Sequence, residues 1–87
     1  MALDHREFLR TLRPLLHGRD WRRTAEGVSI VMPPGRIEIV LGETIERSLG
    51  SLLMPETEVT LTFSGLERPQ IAAFMTAFDK TFHRGGG

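Results

Sequence analysis

The residue types that most often carry chemistry are present in this chain, but they are scattered along it. His5, His17 and His83 do not share the i, i+4 spacing that places two ligands on one face of a helix, and no acidic cluster accompanies them. The absence of Cys excludes a disulfide, a thiolate nucleophile and a zinc–thiolate site. We therefore predict neither a metal site nor a cofactor.

Acid–base and nucleophilic catalysis find no better support. Glu43 with Glu46, and Glu56 with Glu58, are of the right type for acid–base work, but they fall in predicted turns with no sign of burial. No serine lies in a nucleophile elbow, and neither a Gly-Lys-Ser/Thr nor a GxGxxG phosphate loop is present. The sequence therefore predicts a protein that is not an enzyme.

One basic cluster could contact nucleic acid. Trp21 could stack on a base while Arg22, Arg23 and Arg36 hold phosphates. Overall charge is balanced at 11 basic and 11 acidic residues. Residues 1–36, however, contain seven Arg and four acidic residues, whereas residues 37–87 contain four basic and seven acidic residues. The alternative, which we prefer, is that Trp21 closes the edge of the core and the arginines are solvated.

A hairpin organises the centre of the chain. Two β-rich runs flank the turn sequence PPGR, and Pro-Gly favours a tight reversal. Pairing Met32 with Ile37 places Ile30 opposite Ile39 on an apolar face, whereas a slip of one residue would mix apolar and polar side chains. We predict one buried face and one open face for the sheet.

Other segments are assigned from their periodicity. Asp4 followed by Glu7 predicts a helix start, and Pro14 predicts that this helix ends near Leu12 or kinks. Residues 17–27 are interpreted as a loop and 58–63 as a strand. For residues 45–54 we favour an extended segment that turns at Pro55-Glu56, with a helical turn as the alternative. From Pro69, an aromatic stripe predicts a second helix that contributes most of the core: Phe74, Phe78 and Phe82.

These elements predict an α+β fold in the order α-β-β-(β)-β-α, with both helices on one face of an antiparallel sheet. We expect a single domain over residues 1–84 and a flexible Gly tail at 85–87. The order of elements resembles that of the double-stranded RNA-binding domain. The resemblance is one of topology, because that family's basic cluster at the start of the second helix has no counterpart in LERPQIAAF.

The open face suggests a function. Val31, Val40, Thr60 and Thr62 make it less polar than a solvated surface requires, and we predict a protein–protein interaction or homodimerising domain that acts through it. A distant alternative is a carrier that, like ubiquitin and the small sulfur-carrier proteins, uses a C-terminal Gly-Gly. The chain shows no leader-like apolar run and no stretch of 18 apolar residues, so we expect a cytoplasmic protein without membrane contact.

Overall fold

The computed structural model describes the main chain of residues 1–86 and the side chains of residues 1–83. Within that part of the chain the four strands form one antiparallel sheet in the order β1-β2-β3-β4, and the predicted α+β class is confirmed. The elements are α1 (His5–Leu16), β1 (Asp20–Arg23), β2 (Gly27–Met32), β3 (Gly35–Leu49), β4 (Leu52–Ser64) and α2 (Arg68–Gly86).

Both helices cover the same face of the sheet, as predicted. Phe8 of α1 stacks on Phe82 of α2 with ring centroids 4.8 Å apart, and Phe78 lies 4.6 Å from Phe82. Beneath these rings, alternate residues of the two central strands are fully or almost fully buried: Val28, Ile30, Ile37, Ile39 and Leu41. The core is therefore a layer of aromatic rings against a layer of branched aliphatic side chains.

Helix α1 continues through Pro14 to Leu16, so the predicted end near Leu12 is wrong. Asp4 caps the helix by accepting a hydrogen bond from the Glu7 amide at 2.8 Å, as predicted. Pro14 is exposed and lies only two residues before the end, whereas Leu16 is 2% exposed. Burying a leucine contributes roughly 1.5–3 kcal/mol, which offsets a proline cost of about 3 kcal/mol.

The predicted loop over residues 17–27 contains β1, which pairs antiparallel with β2. This strand is four residues long and mostly charged, so it lacks the apolar alternation by which strands are recognised. Charged side chains are common on edge strands because they discourage pairing with another chain. Trp21 is opposite Ile30 and packs against the buried cluster.

The β2–β3 hairpin is tighter than predicted. Met32 pairs with Gly35 rather than with Ile37, so that only Pro33 and Pro34 form the loop and Ile30 pairs with Ile37. The shift is two residues, which preserves the predicted buried and open faces. Gly35 is required by the packing of the sheet and not by the turn, because a Cβ atom at this position would collide with the main chain at Ser64.

Strands β3 and β4 form one long ribbon. A bulge interrupts the register between Leu41 and Thr44, after which β3 continues to Leu49. The segment 45–54 is extended, as favoured, but its chain reversal lies at Gly50-Ser51 and not at Pro55-Glu56. The strand given in brackets in the predicted order therefore corresponds to the end of β3 together with the start of β4. The fourth strand of the sheet is β1, which was predicted to be a loop.

Helix α2 confirms the aromatic stripe. Phe74, Phe78 and Phe82 are 1%, 5% and 7% exposed, and Phe63 of β4 meets the Phe74 ring edge-on at 6.2 Å. The helix extends to Gly86, and Gly87 lies outside the described residues. The flexible tail proposed for residues 85–87 stays a prediction.

Replacing Phe74 by Ala should cost about 3–5 kcal/mol of unfolding free energy, because a fully enclosed ring is lost and a cavity remains. Urea denaturation followed by Trp21 fluorescence measures this. Thr76→Ala on the exposed side of the same helix is the control and should shift stability by less than about 0.5 kcal/mol. A loss below about 1 kcal/mol for Phe74→Ala would show that the stripe is not the core.

Candidate interaction surface

The β3–β4 ribbon extends well beyond the rest of the sheet. Pairing between β2 and β3 ends at Gly27 with Val40, whereas β3 and β4 remain paired as far as Leu49 with Leu52. We call residues 44–57 the arm. Six residues per strand reach about 20 Å at 3.3 Å per residue, and the arm contributes to a long axis of 47 Å in a molecule only 26 by 21 Å across.

A two-residue reversal closes the arm at its tip. Gly50 adopts a φ of 64°, a left-handed conformation that glycine enters without the steric cost of a Cβ atom. Leu49 and Leu52 flank the turn and face each other across the ribbon. The tip therefore presents two leucines side by side.

The register assigns each arm residue to one of two faces. Thr57 and Thr44 continue the helix-covered face, and Glu46 with Pro55 and Ser48 with Leu53 lie on the same side. The opposite side holds Ile45 with Glu56, Arg47 with Met54 and Leu49 with Leu52. This second set continues the open face of the sheet, which is the side away from both helices.

Large apolar side chains are exposed along that open face. Their exposed fractions are larger in the arm than in the body of the sheet: Val40 36%, Val31 40%, Leu49 54%, Ile45 58% and Leu52 63%. Leu53 is 67% exposed on the other side of the arm. An isolated two-stranded ribbon is marginally stable in water, and the exposed apolar side chains of the arm contribute nothing to its stability by burial.

Two ion pairs lie on the open face. The Arg47 guanidinium lies 3.1 Å from the Glu56 carboxylate in the arm, and Arg36 lies 3.7 Å from Glu38 in the body. Ser29 also donates a hydrogen bond to Glu38 at 2.9 Å. All four charged residues are on the solvent side, where such pairs contribute little to stability.

A buried threonine anchors the root of the arm. Thr57 is fully buried, and its hydroxyl donates a hydrogen bond to the Leu3 carbonyl at 2.6 Å while lying 2.7 Å from the Thr44 hydroxyl. Its main chain pairs with Met1: the Thr57 amide donates to the Met1 carbonyl at 2.8 Å. This network joins both arm strands to the segment that precedes α1.

The bulge is held from the same side. The Gly42 carbonyl lies 2.6 Å from the Nε2 atom of His5 at the start of α1. The Leu41 amide donates to the Glu26 carbonyl at 2.7 Å, beyond the last β2–β3 pair. The direction in which the arm leaves the body is therefore set by contacts with α1 and the β1–β2 turn.

The outer edge of β4 is poorly suited to pairing with another strand. Both main-chain groups of Thr57 bond to Met1 and therefore point away from β3. Pro55, two residues earlier, has the same orientation, so its missing N–H lies on the free edge. An incoming strand would meet an occupied position at Thr57 and a missing donor at Pro55.

The predicted interface residues are together on one surface. Val40 pairs with Thr60, Thr62 pairs with Glu38, and Val31 lies one strand away opposite Arg36. Thr60 and Thr62 are exposed, as are both valines. That they bind a partner stays a prediction, but the surface they were expected to form exists.

The predicted nucleic-acid residues are divided between two faces. Trp21 and Arg23 lie on the helix-covered side, where they line a small groove with Leu9, Arg13 and Leu16. Arg22 and Arg36 are on the open face. A base stacked on Trp21 could not have its phosphates held by Arg22 and Arg36 on the same surface, and the packing of Trp21 matches the preferred alternative.

Sequence reasoning missed the arm residues Ile45, Leu49, Leu52 and Met54. A signal was present: Gly-Ser between two leucines is a two-residue hairpin turn of the kind that joins antiparallel strands. Proline at position 55 obscured it by suggesting the reversal there. The distinction between a turn proline and an edge-strand proline depends on pairing, which a single sequence does not contain.

Residues 1–86 contain no group of three or more His, Asp or Glu side chains placed to hold a metal ion. Over the same residues, no helix has both the length and the apolar character needed to cross a membrane. No family model, curated protein or solved structure matches this chain.

Replacing Thr57 by Val should reduce the unfolding free energy by about 1–3 kcal/mol. Valine keeps the shape of the threonine side chain, but the Leu3 carbonyl loses its hydrogen-bond donor and the Thr44 hydroxyl loses its hydrogen-bond partner in a buried site. Thr60→Val, on the exposed side of the same strand, is the matched control and should be within about 0.5 kcal/mol of wild type in thermal or urea unfolding. Equal effects of the two variants would mean that the hydroxyl network does not anchor the arm.

Proposed function

We propose that this chain is a non-enzymatic protein-binding domain whose binding surface is the open face of the sheet together with the matching side of the arm. One observation carries the proposal: five exposed branched aliphatic side chains lie on a single continuous side of one sheet, namely Val31, Val40, Ile45, Leu49 and Leu52. Surfaces of this kind mark protein interfaces in proteins of this size.

The energetics favour a covered arm. Full burial of a leucine or isoleucine is worth roughly 1.5–3 kcal/mol, and Ile45, Leu49 and Leu52 each retain more than half of their surface in solvent. These residues make no contribution to the core that would explain their apolar character. Binding of a partner recovers this free energy, which folding of the single chain leaves unused.

Charge indicates the kind of partner. Residues 43–58 contain four glutamates and one arginine, so the apolar surface of the arm has an acidic surround. An anionic membrane surface or a nucleic-acid backbone would be repelled by this surround. A protein with exposed apolar and basic side chains is the complementary ligand.

Two neighbouring leucines provide a direct test. Leu52 is on the open face and Leu53 on the opposite side of the arm, with exposed fractions of 63% and 67%. We expect Leu52→Ser to abolish binding and Leu53→Ser to retain it, with both variants within about 0.5 kcal/mol of wild-type stability. The measurement is affinity capture with each protein as bait, using cell extract and, separately, a differently tagged copy of the chain as prey.

Support requires a prey that is held by the wild type and by Leu53→Ser and lost from Leu52→Ser. If no prey, including the second copy, shows this pattern, the open face is not the binding surface. Equal loss with both variants would also contradict the proposal, because it would indicate general stickiness of the tip.

A further inference from the structure

We infer that the partner on the open face is a second copy of this chain, docked antiparallel about the β-bulge so that each arm covers the body of the other sheet. This inference rests on the proposed function and adds the identity of the partner and the register of the contact. It is carried by the symmetry of the ribbon, by its charges and by the outer edge of β4, which is blocked at Pro55 and Thr57.

The bulge divides the open face of the β3–β4 ribbon into two equal halves. Each half contains three cross-strand pairs, which run from Arg36 with Ser64 to Val40 with Thr60 in the body, and from Ile45 with Glu56 to Leu49 with Leu52 in the arm. A two-fold axis that lies between the two sheets, above Gly42 and Glu58 and perpendicular to the strands, therefore places the arm of one copy over the body of the other. Neither half projects beyond its counterpart.

Side chains nearest this axis are complementary. Val40 of one copy faces Ile45 of the other, so two exposed aliphatic groups cover each other. One pair further out, Glu38 faces Arg47 of the second copy. The operation is a two-fold, so each contact occurs twice. Contacts close to the axis are those least displaced by the twist between packed sheets.

Other self-associations fit the structure less well. At the root of the arm, pairing of β4 strands edge to edge is blocked by Pro55 and by the Met1 contact at Thr57. Packing the open sides of the two arms on each other would bring Glu56 of both copies into the contact, with Glu58 at its margin. In the antiparallel register Arg47 of the arm instead faces Glu38 of the body.

The expected affinity is modest. A footprint along most of the 47 Å long axis and two strands wide covers roughly 400–450 Å² per copy, at strand spacings of about 4.8 Å. Standard stable interfaces bury about 800 Å² per partner. We therefore expect dimerisation with a dissociation constant on the order of micromolar, which sedimentation velocity resolves.

Complementary charge reversals test the register. In a Glu38→Arg protein two arginines would oppose each other at both contacts, and in an Arg47→Glu protein two glutamates would do so. We expect each variant alone to dimerise at least about tenfold more weakly than wild type. In a mixture of the two variants, both contacts of the heterodimer pair opposite charges, so it should form with an affinity close to that of the wild-type dimer.

Glu46→Arg is the control, because residue 46 lies on the helix side of the arm and outside the proposed contact. Its self-association should equal that of wild type, and mixing it with Glu38→Arg should not restore the affinity of that variant to the wild-type level. Sedimentation velocity from about 1 to 100 μM, with one component labelled, measures the single proteins and both mixtures.

The outcomes are distinguishable. A wild type that stays monomeric to about 100 μM, while arm-dependent capture of another protein persists, overturns the second copy as partner and leaves the proposed function standing. A wild-type dimer whose charge-reversed variants do not recover on mixing overturns the antiparallel register. Recovery in the mixture, with Glu46→Arg unchanged, supports the inference.

Discussion

The structure depends on a mismatch of length between neighbouring strands. β2 has 6 residues and β3 has 15, so more than half of β3 has no third strand on the side where β2 pairs. The core is complete at Leu41, where the last buried side chain of β3 contacts the cluster. Everything beyond that point is held by the ribbon's own hydrogen bonds and by the root contacts at Thr57 and Gly42. The arm is consequently a feature that folding of the single chain does not stabilise by burial.

Much of the body could be predicted from composition and periodicity. The stripe from Phe74 to Phe82 repeats every four residues, and the alternation around Ile37 and Ile39 repeats every two, so each signal specifies one element and one buried side. These signals are strong because burial selects apolar residues at fixed intervals. The prediction that both helices share one sheet face followed directly, since each helix has one apolar stripe and the sheet has one apolar face.

Features that the sequence could not supply are those decided by pairing or by the surroundings. β1 is formed because its main chain completes the edge of β2, not because its side chains alternate. Pro14 remains in a helix because Leu12 and Leu16 on either side of it are buried. Pro55 lies in a strand because its ring nitrogen is on the free edge, and it misled the prediction of the arm for that reason. For β1 and Pro55 the outcome depends on which strand lies beside them. For Pro14 it depends on the burial of Leu12 and Leu16 in the core cluster.

The candidate site illustrates the same division. Strand alternation is local, so the sequence was enough to assign four residues to a common open face: Val31, Val40, Thr60 and Thr62. The extension of that face along Ile45, Leu49 and Leu52 could be seen only once the positions of the bulge and of the chain reversal were known.

The central claim is that two such faces meet antiparallel about Gly42. Site-directed crosslinking tests it most directly, because the chain has no native Cys. Val40→Cys and Ile45→Cys proteins carrying different tags are mixed and treated with a short bis-maleimide, which spans the separation of about 10 Å between packed sheets. The account predicts that Val40→Cys crosslinks to Ile45→Cys more efficiently than either variant crosslinks to itself; crosslinking no greater in the mixture than in the separate proteins would contradict it.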